Sequence, residues 1–248
     1  MNWNPIKWRS LNTKVTLFAL VIFLIGIWAL AFYGRQLLQG TVLRLLGEHQ
    51  FATATVMSAQ INQELDQRMR ALQAVAATFS PAVLADPAAM QTNLNQRTGL
   101  RELFNGGFFV TGIDGVVIAE IPVSATRVGV NYSDREFMIA ALTEGKASIS
   151  RPFMGRKLKV PLIAMTAPIK DPQGKVIGAM VAVTDLTKPN FLDVVTQSQY
   201  GKEGGYLIIN RQDRLIITAS EKSRIMEKLP APGVNPAIDR FVNGDEGS

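Results

Sequence analysis

The sequence holds no cysteine, which excludes disulfides, thiolate metal sites and a cysteine nucleophile. It holds one histidine, His49, so neither a Ser–His–Asp relay nor a histidine-rich metal cluster can be assembled from it. Acidic residues are missing before Glu48, while Lys7, Arg9, Lys14, Arg35 and Arg44 lie in that stretch. Those five carry most of the formal net charge of +6, because the other 21 basic residues (26 − 5) face 20 acidic ones and leave +1 for residues 48 to 248. A nucleic-acid surface needs a clustered basic excess in the folded part, so no nucleic-acid partner is expected. Proline is absent from residues 36 to 80, and Gly40 and Gly47 are the only glycines there. The hydrophobic share of 47% is ordinary for a globular chain and can supply a sizeable core.

What is present begins with "VTLFALVIFLIGIWALAFYG", residues 15 to 34, without a charge. At about 1.5 Å per residue this run is a helix of about 30 Å, the thickness of a bilayer core. Lys7, Arg9 and Lys14 precede it, and Trp28 and Tyr33 fall toward its far end. That order predicts a single membrane crossing, with residues 1 to 14 in the cytoplasm and the remainder on the far side. The competing reading is a cleaved signal peptide, since Ala29-Leu30-Ala31 has the small-x-small form of a cleavage site. From 35 to 80 a long helix is expected. Leu65, Met69, Leu72, Ala76 and Phe79 recur at three- and four-residue steps on one face, and Ser80-Pro81 closes it. Such a rod can pack on a domain or on its twin, which gives a homodimer as the expected assembly. His49 lies on it without a second ligand nearby and is read as a solvated or loosely packed side chain.

The folded part is read as α+β. Asp86-Pro87 opens a short helix to about Gln96. "GGFFVTGIDGVVIAEIP", 106 to 122, gives two apolar runs around Asp114-Gly115, a strong hairpin signal. A helix at 133 to 144 follows, then strands around 147 to 153, 158 to 169 and 176 to 185, the last two joined by the turn "DPQGK". This order predicts one antiparallel sheet with helices to one side, covered by the long helix. After a helix at about 188 to 199, "GYLIINRQDRLIITA" (205 to 219) repeats the layout of "GFFVTGIDGVVIAE" (107 to 120) at an offset near 98 residues. A duplicated unit is expected, its second copy holding a hairpin and the capped helix "NPAIDRFVNG" but not the last three strands.

"NYSDREFMIAALTEGKASISRPF", "APIKDPQGKVIGAMVAVTDL" and "GGYLIINRQDRLIITAS", behind an anchor and a long helix, resemble a double Cache sensor domain. This is the PAS-like extracytoplasmic module of bacterial chemoreceptors, histidine kinases and diguanylate cyclases. The resemblance covers about 35 to 248, with the second unit cut short, and is nearest to sensors of diguanylate cyclases. It implies a membrane-distal unit at 81 to 187, a partial membrane-proximal unit at 188 to 248, and an output domain outside this chain. "GDEGS" at the end is not the cyclase Gly-Gly-Asp-Glu-Phe motif, and "GKEGG" lacks the order of a phosphate loop. No enzymatic activity, cofactor or metal is expected of the chain.

The resemblance also implies a ligand site. Amino-acid-binding members place an arginine at the start of the connecting helix, two aromatics after it, a tyrosine and an acid on a later strand, and an aspartate closing the final strand. Here Arg135 and Asp185 match the arginine and the aspartate, while Phe137 and Met138 stand for the two aromatics. Phe153 takes the tyrosine's place and no acid lies near Gly155, so two polar contacts are missing. The residues themselves single out Arg135: Ser133 and Glu136 have the spacing of a capping box and Asp134 suits a helix start, but a cation there does not. It either pairs with Asp134 or Asp185 or holds a ligand anion. The expected site is Tyr132, Arg135, Phe137, Phe153 and Asp185, for a small carboxylate or amino-acid-like metabolite. Arg151, Arg156 and Lys157 either line its mouth or form a solvated face. Two other function classes stand beside the sensor: a ligand-free dimerisation module and an extracytoplasmic enzyme.

Overall fold

A computed structural model of the chain describes residues 11–196, 199–200 and 204–244, with side chains described for 14–33, 51–195 and 205–244. The tail before Leu11, the His49 side chain, the Lys202-Glu203 part of "GKEGG" and the last four residues lie outside them. A single helix, α1 (Leu11–Ala76), fits the absence of proline over its length. Within it, Lys14–Tyr33 is long and apolar enough to cross a membrane, with a mean hydropathy of 2.7 and exposed side chains throughout. The chain divides at Val56/Met57 into two bodies, the first being the helix up to Val56.

The second body, from Met57, holds the rest of α1 and all the strands. Ser80 ends the helical stretch by accepting the Val83 N–H and so starting α2 (Pro81–Ala85). Asp86 caps α3 (Pro87–Asn95) through the Ala88 and Ala89 N–H groups, as its Asp-Pro pair predicts. A further helix, α4 (Thr98–Leu103), was not expected. Then come β1 (Phe108–Gly112), β2 (Val117–Ile121), α5 (Glu136–Leu142), β3 (Ser148–Ile149), β4 (Phe153–Met154), β5 (Pro161–Lys170) and β6 (Val176–Asp185). They form one antiparallel sheet in the order β2-β1-β6-β5-β3, with β4 also on β5.

Both faces of this sheet are covered, which corrects the expectation of helices to one side. On one face Phe108, Val110, Ala119, Met165, Met180 and Ala182 pack with Leu72, Ala76 and Phe79, and Leu65 and Met69 adjoin them. The helical face read from the sequence is therefore the covering one. On the other face Phe109, Ala164, Val181 and Val183 pack with Tyr132, Phe137, Met138 and Ala141. Alternation along β1 sends Phe108 and Phe109 to opposite cores.

The expected helix at 188 to 199 shrinks to α6 (Asp193–Thr196). Asn190 is the cause: its Oδ1 accepts the Leu192 N–H at 2.9 Å and its N–H reaches Asp193 Oδ2 at 3.1 Å, which delays the helix start. Beyond it, β7 (Gln199–Tyr200) pairs with β8 (Gly204–Gly205), and β9 (Leu207–Asn210) pairs with β10 (Leu215–Ala219). The hairpin at 205 to 219 is thus present, apart from the main sheet. Helix α7 (Pro236–Asn243) is capped by Asn235, with Pro236 at its first position. Ile61, Leu186, Leu192 and Val195 form a third cluster, against which Tyr206, Ile208, Ile217 and Ile225 lie.

Candidate ligand site

The second face of the sheet carries a recess where β1, β5, β6, the β2–α5 loop and the β4–β5 turn converge. Its lining includes Phe109, Arg127, Tyr132, Phe137, Phe153, Arg156, Lys157, Leu162 and Val183. The β-register sets the floor: Phe109 lies beside Val181 and Ala164 beside Val183, all on this face. The walls are aromatic. Phe109 and Tyr132 have ring centroids 5.3 Å apart, and Phe137 stacks on Phe153 at 5.4 Å. Over three of those rings sit guanidinium groups: Arg127 at 5.0 Å from Phe109, Arg156 at 5.3 Å from Tyr132, and Arg135 at 5.4 Å from Phe153. Each is within cation–π range. The enclosed room is about 20 Å³, roughly one water-sized guest. A metabolite enters only if the lining moves.

Of the residues expected from sequence, Tyr132, Phe137, Phe153, Arg156 and Lys157 meet in this recess. Arg135 lies over the Phe153 ring and is not among the lining residues, and its buried Nε has no hydrogen-bond partner among the described residues. Neither expected ion pair forms. Asp134 binds Arg156 at 2.7 Å, an interaction that holds its carboxyl below the usual range. Asp185 closes β6 opposite Leu162, but its Oδ1 accepts from the Thr187 N–H at 3.0 Å and hydroxyl at 2.6 Å. Lys188 lies 3.5 Å from its Oδ2, so Asp185 is removed from the site. Arg151 is also elsewhere, 2.9 Å from Asp213 and 3.6 Å from Glu136.

The capping box is corrected as well. Arg135 itself is the cap residue of α5, in extended backbone and without a side-chain cap. The Arg135 N–H reaches the Tyr132 carbonyl at 3.0 Å, closing a turn that uses up the residues meant to cap. Ser133 instead donates its N–H to Asn131 Oδ1 at 2.7 Å.

Sequence reasoning missed Arg127 and Glu120. Register places Glu120 opposite Phe109, on the recess face of β2. Glu120 is 0% exposed and Arg127 2%. The Glu120 carboxylate accepts the Arg127 N–H at 2.8 Å and Nε–H at 2.9 Å, while Arg127 Nη2 donates to the Ile121 carbonyl at 3.1 Å. Gln91 fixes the strand from α3, donating to the Glu120 carbonyl at 2.9 Å and accepting its N–H at 3.1 Å. The signal was an acid inside the apolar run "VVIAEI", which only a buried partner makes tolerable. Tyr132 is mostly buried, and that burial raises its phenol pKa; the hydroxyl stays protonated at neutral pH and can donate.

The family model described as Cache domain matches residues 38–244. No curated protein sequence matches the chain. Among solved structures, the ligand-binding domain of the Pseudomonas aeruginosa amino acid chemoreceptor PctB, in complex with L-Arg, is similar with a TM-score of 0.60 and 17% identity over 74% of this chain and 69% of that one. The sensor domain of the Vibrio cholerae histidine kinase DctB is similar with a TM-score of 0.60 and 16% identity over 78% of this chain and 73% of that one. An extracellular ligand binding receptor from Desulfohalobium retbaense has a TM-score of 0.58 and 17% identity over 77% of this chain, which spans only 34% of that receptor. These likenesses are of fold. The match to the family model covers most of the sequence, and the chain belongs to the Cache domain family of sensor modules.

Proposed function

We propose that this chain is a membrane-anchored, extracytoplasmic sensor that binds a small metabolite in the recess between the sheet and α5. The observation that carries the reading is the recess itself: four aromatic side chains with arginines seated over three of them. Apolar walls exclude water, and fixed guanidinium groups supply orientation. The helix at Lys14–Tyr33 is the proposed anchor, crossing the inner membrane once with the N-terminus in the cytoplasm. The segment 35–80, helical as far as Ala76, is the proposed connector and dimer contact, 81–187 the membrane-distal unit and 188–248 the membrane-proximal one. The output is a cyclic-dinucleotide cyclase or a kinase outside the chain.

Binding signals only if the guest prefers one of two arrangements. The small size of the recess defines one of them: Arg156 and Lys157 lie at its side, and they have to shift for a guest to enter. The test is a thermal-shift and calorimetry screen of amino acids and organic acids against the full chain in lipid nanodiscs. A hit is expected, and Phe137→Ala is expected to remove it. If nothing binds, or if Phe137→Ala leaves the hit unchanged, the recess is not a sensor site.

A further inference from the structure

We propose that the guest is a small carboxylate without an ammonium group, anchored by Arg127 and clamped by Arg156, which leaves Asp134 to take it. This rests on the sensor reading and specifies its ligand.

The charges that line the recess are of one sign. Arg127, Arg156 and Lys157 line it and, among the described residues, no carboxylate does. The acids nearby are engaged: Glu120 with Arg127, Asp134 with Arg156, and Asp185 with Thr187 and Lys188. A guest ammonium would lose its hydration without meeting an acceptor of opposite charge, which is unfavourable in a low-dielectric site. Nor can it use the aromatic walls. The rings of Phe109, Tyr132 and Phe153 already face arginines of the protein, and Phe137 is stacked on Phe153. A cation there meets like charges, whereas an anion meets guanidinium forks.

Arg127 suits the anchor. Its Nε–H and one Nη2–H are committed to Glu120 and Ile121, which fixes the plane of the group. Its Nη1 holds no partner among the described residues. Charge-assisted bonds to such a preset fork require little ordering. Arg156 suits the clamp: it is half-buried and held by two contacts at the rim, Asp134 at 2.7 Å and the Asn131 carbonyl at 2.6 Å. A carboxylate in the recess offers Arg156 the same chemistry from the other side. Asp134 then competes with the guest, and it precedes Arg135, the cap of α5. Exchange of Asp134 for the guest therefore acts on the start of that helix.

Three pairs of matched carbon skeleton test this by calorimetry on the full chain in nanodiscs: butyrate and 4-aminobutyrate, succinate and L-aspartate, 2-oxoglutarate and L-glutamate. In each pair that binds, the ammonium-free member should be tighter by about tenfold or more. Arg156→Ala should weaken it by about ten- to a hundredfold, and Arg156→Lys should restore part. Asp134→Asn should tighten it by a few-fold, because the competitor is gone; a merely structural pair would give the opposite. Tighter binding of the amino member, with loss in Phe137→Ala, overturns the ligand class and leaves the sensor reading standing. Unchanged or weaker binding in Asp134→Asn overturns the exchange. No binding by any of the six probes overturns the ligand class, and the sensor reading then stands or falls on the wider screen of amino acids and organic acids.

Discussion

The hairpin β1–β2 and the hairpin β9–β10 carry one sequence layout but have different surroundings. Each has a bulge in its second strand, at Ile118 in the first and Ile217 in the second, and each turn has a left-handed residue, Gly115 and Arg214. Both features lie 99 residues apart (217 − 118 and 214 − 115). In the first hairpin β1 is paired on both edges, and its first four residues are buried. In the second, β9 pairs among the described residues only with β10, and none of its four residues is fully buried. Alternating apolar runs around a turn are enough to specify a hairpin. Its stability is set by what covers the faces. The sharpest way to break this comparison is hydrogen exchange on the full chain: amides of β1 and β6 should exchange only through global unfolding, and those of β9 and β10 through local opening. Equal protection would remove the distinction.

The next largest effect separates the ion pairs of the two regions. In the first region Arg127→Ala leaves the Glu120 carboxylate buried without its partner and should cost about 3–5 kcal/mol in chemical denaturation. The double replacement Arg127→Met with Glu120→Leu should recover most of that loss, because an apolar pair of similar volume needs no compensation. In the second region Arg214 and Asp239, 2.7 Å apart, keep more contact with water. Arg214→Ala should cost clearly less than Arg127→Ala. If the two single variants cost the same, the regions do not differ in the way their burial indicates.

The sequence made the frame legible because its signals were local. Asp86-Pro87, Asp114-Gly115 and Asn235-Pro236 each fix a cap or turn within a few residues, and all three are where they were expected. The site was legible in part. Tyr132, Phe137, Phe153, Arg156 and Lys157 were expected and meet, since α5 and the β4–β5 turn lie near the expected places even though the helix starts three residues later. Asp185 was not, because the donor it accepts from, the Thr187 hydroxyl, depends on how the chain leaves β6. The Glu120–Arg127 pair escaped for a related reason. Which face Glu120 takes depends on a bulge at Ile118, and periodicity does not show a bulge.

A smaller effect is expected at the turns. Gly115 has φ +76°, and a Cβ there would lie 2.8 Å from the backbone nitrogen of Ser133. Gly115→Ala should therefore destabilise by about 1–3 kcal/mol, through left-handed strain and a clash that a backbone cannot easily relieve. The counterpart, Arg214, holds φ +53° with a side chain in place. Exchanging it for glycine relieves that strain but loses Asp239. The two turns should respond in opposite proportion to backbone and to charge, as denaturation midpoints would report.

The smallest expected effect is a pH response of the second region that runs through Asp239. The Gly233 N–H, 2.7 Å from Asp239 Oδ2, and then Arg214 hold the Asp239 carboxyl below its ordinary value of 3.8. A depressed carboxyl contributes stability that is present above the unfolded pKa and is lost as pH falls through the folded one. Protection of β9, β10 and α7 should thus be flat from neutral pH down to about 4 and fall below it. In Asp239→Asn the same amides should be less protected at neutral pH and the fall should be reduced. In the β1 and β6 amides the difference made by Asp239→Asn should be absent, since the Glu120–Arg127 pair that supports their sheet does not involve Asp239. A fall of equal size in both regions would mean that they open together, and the contrast between the two hairpins would reduce to burial alone.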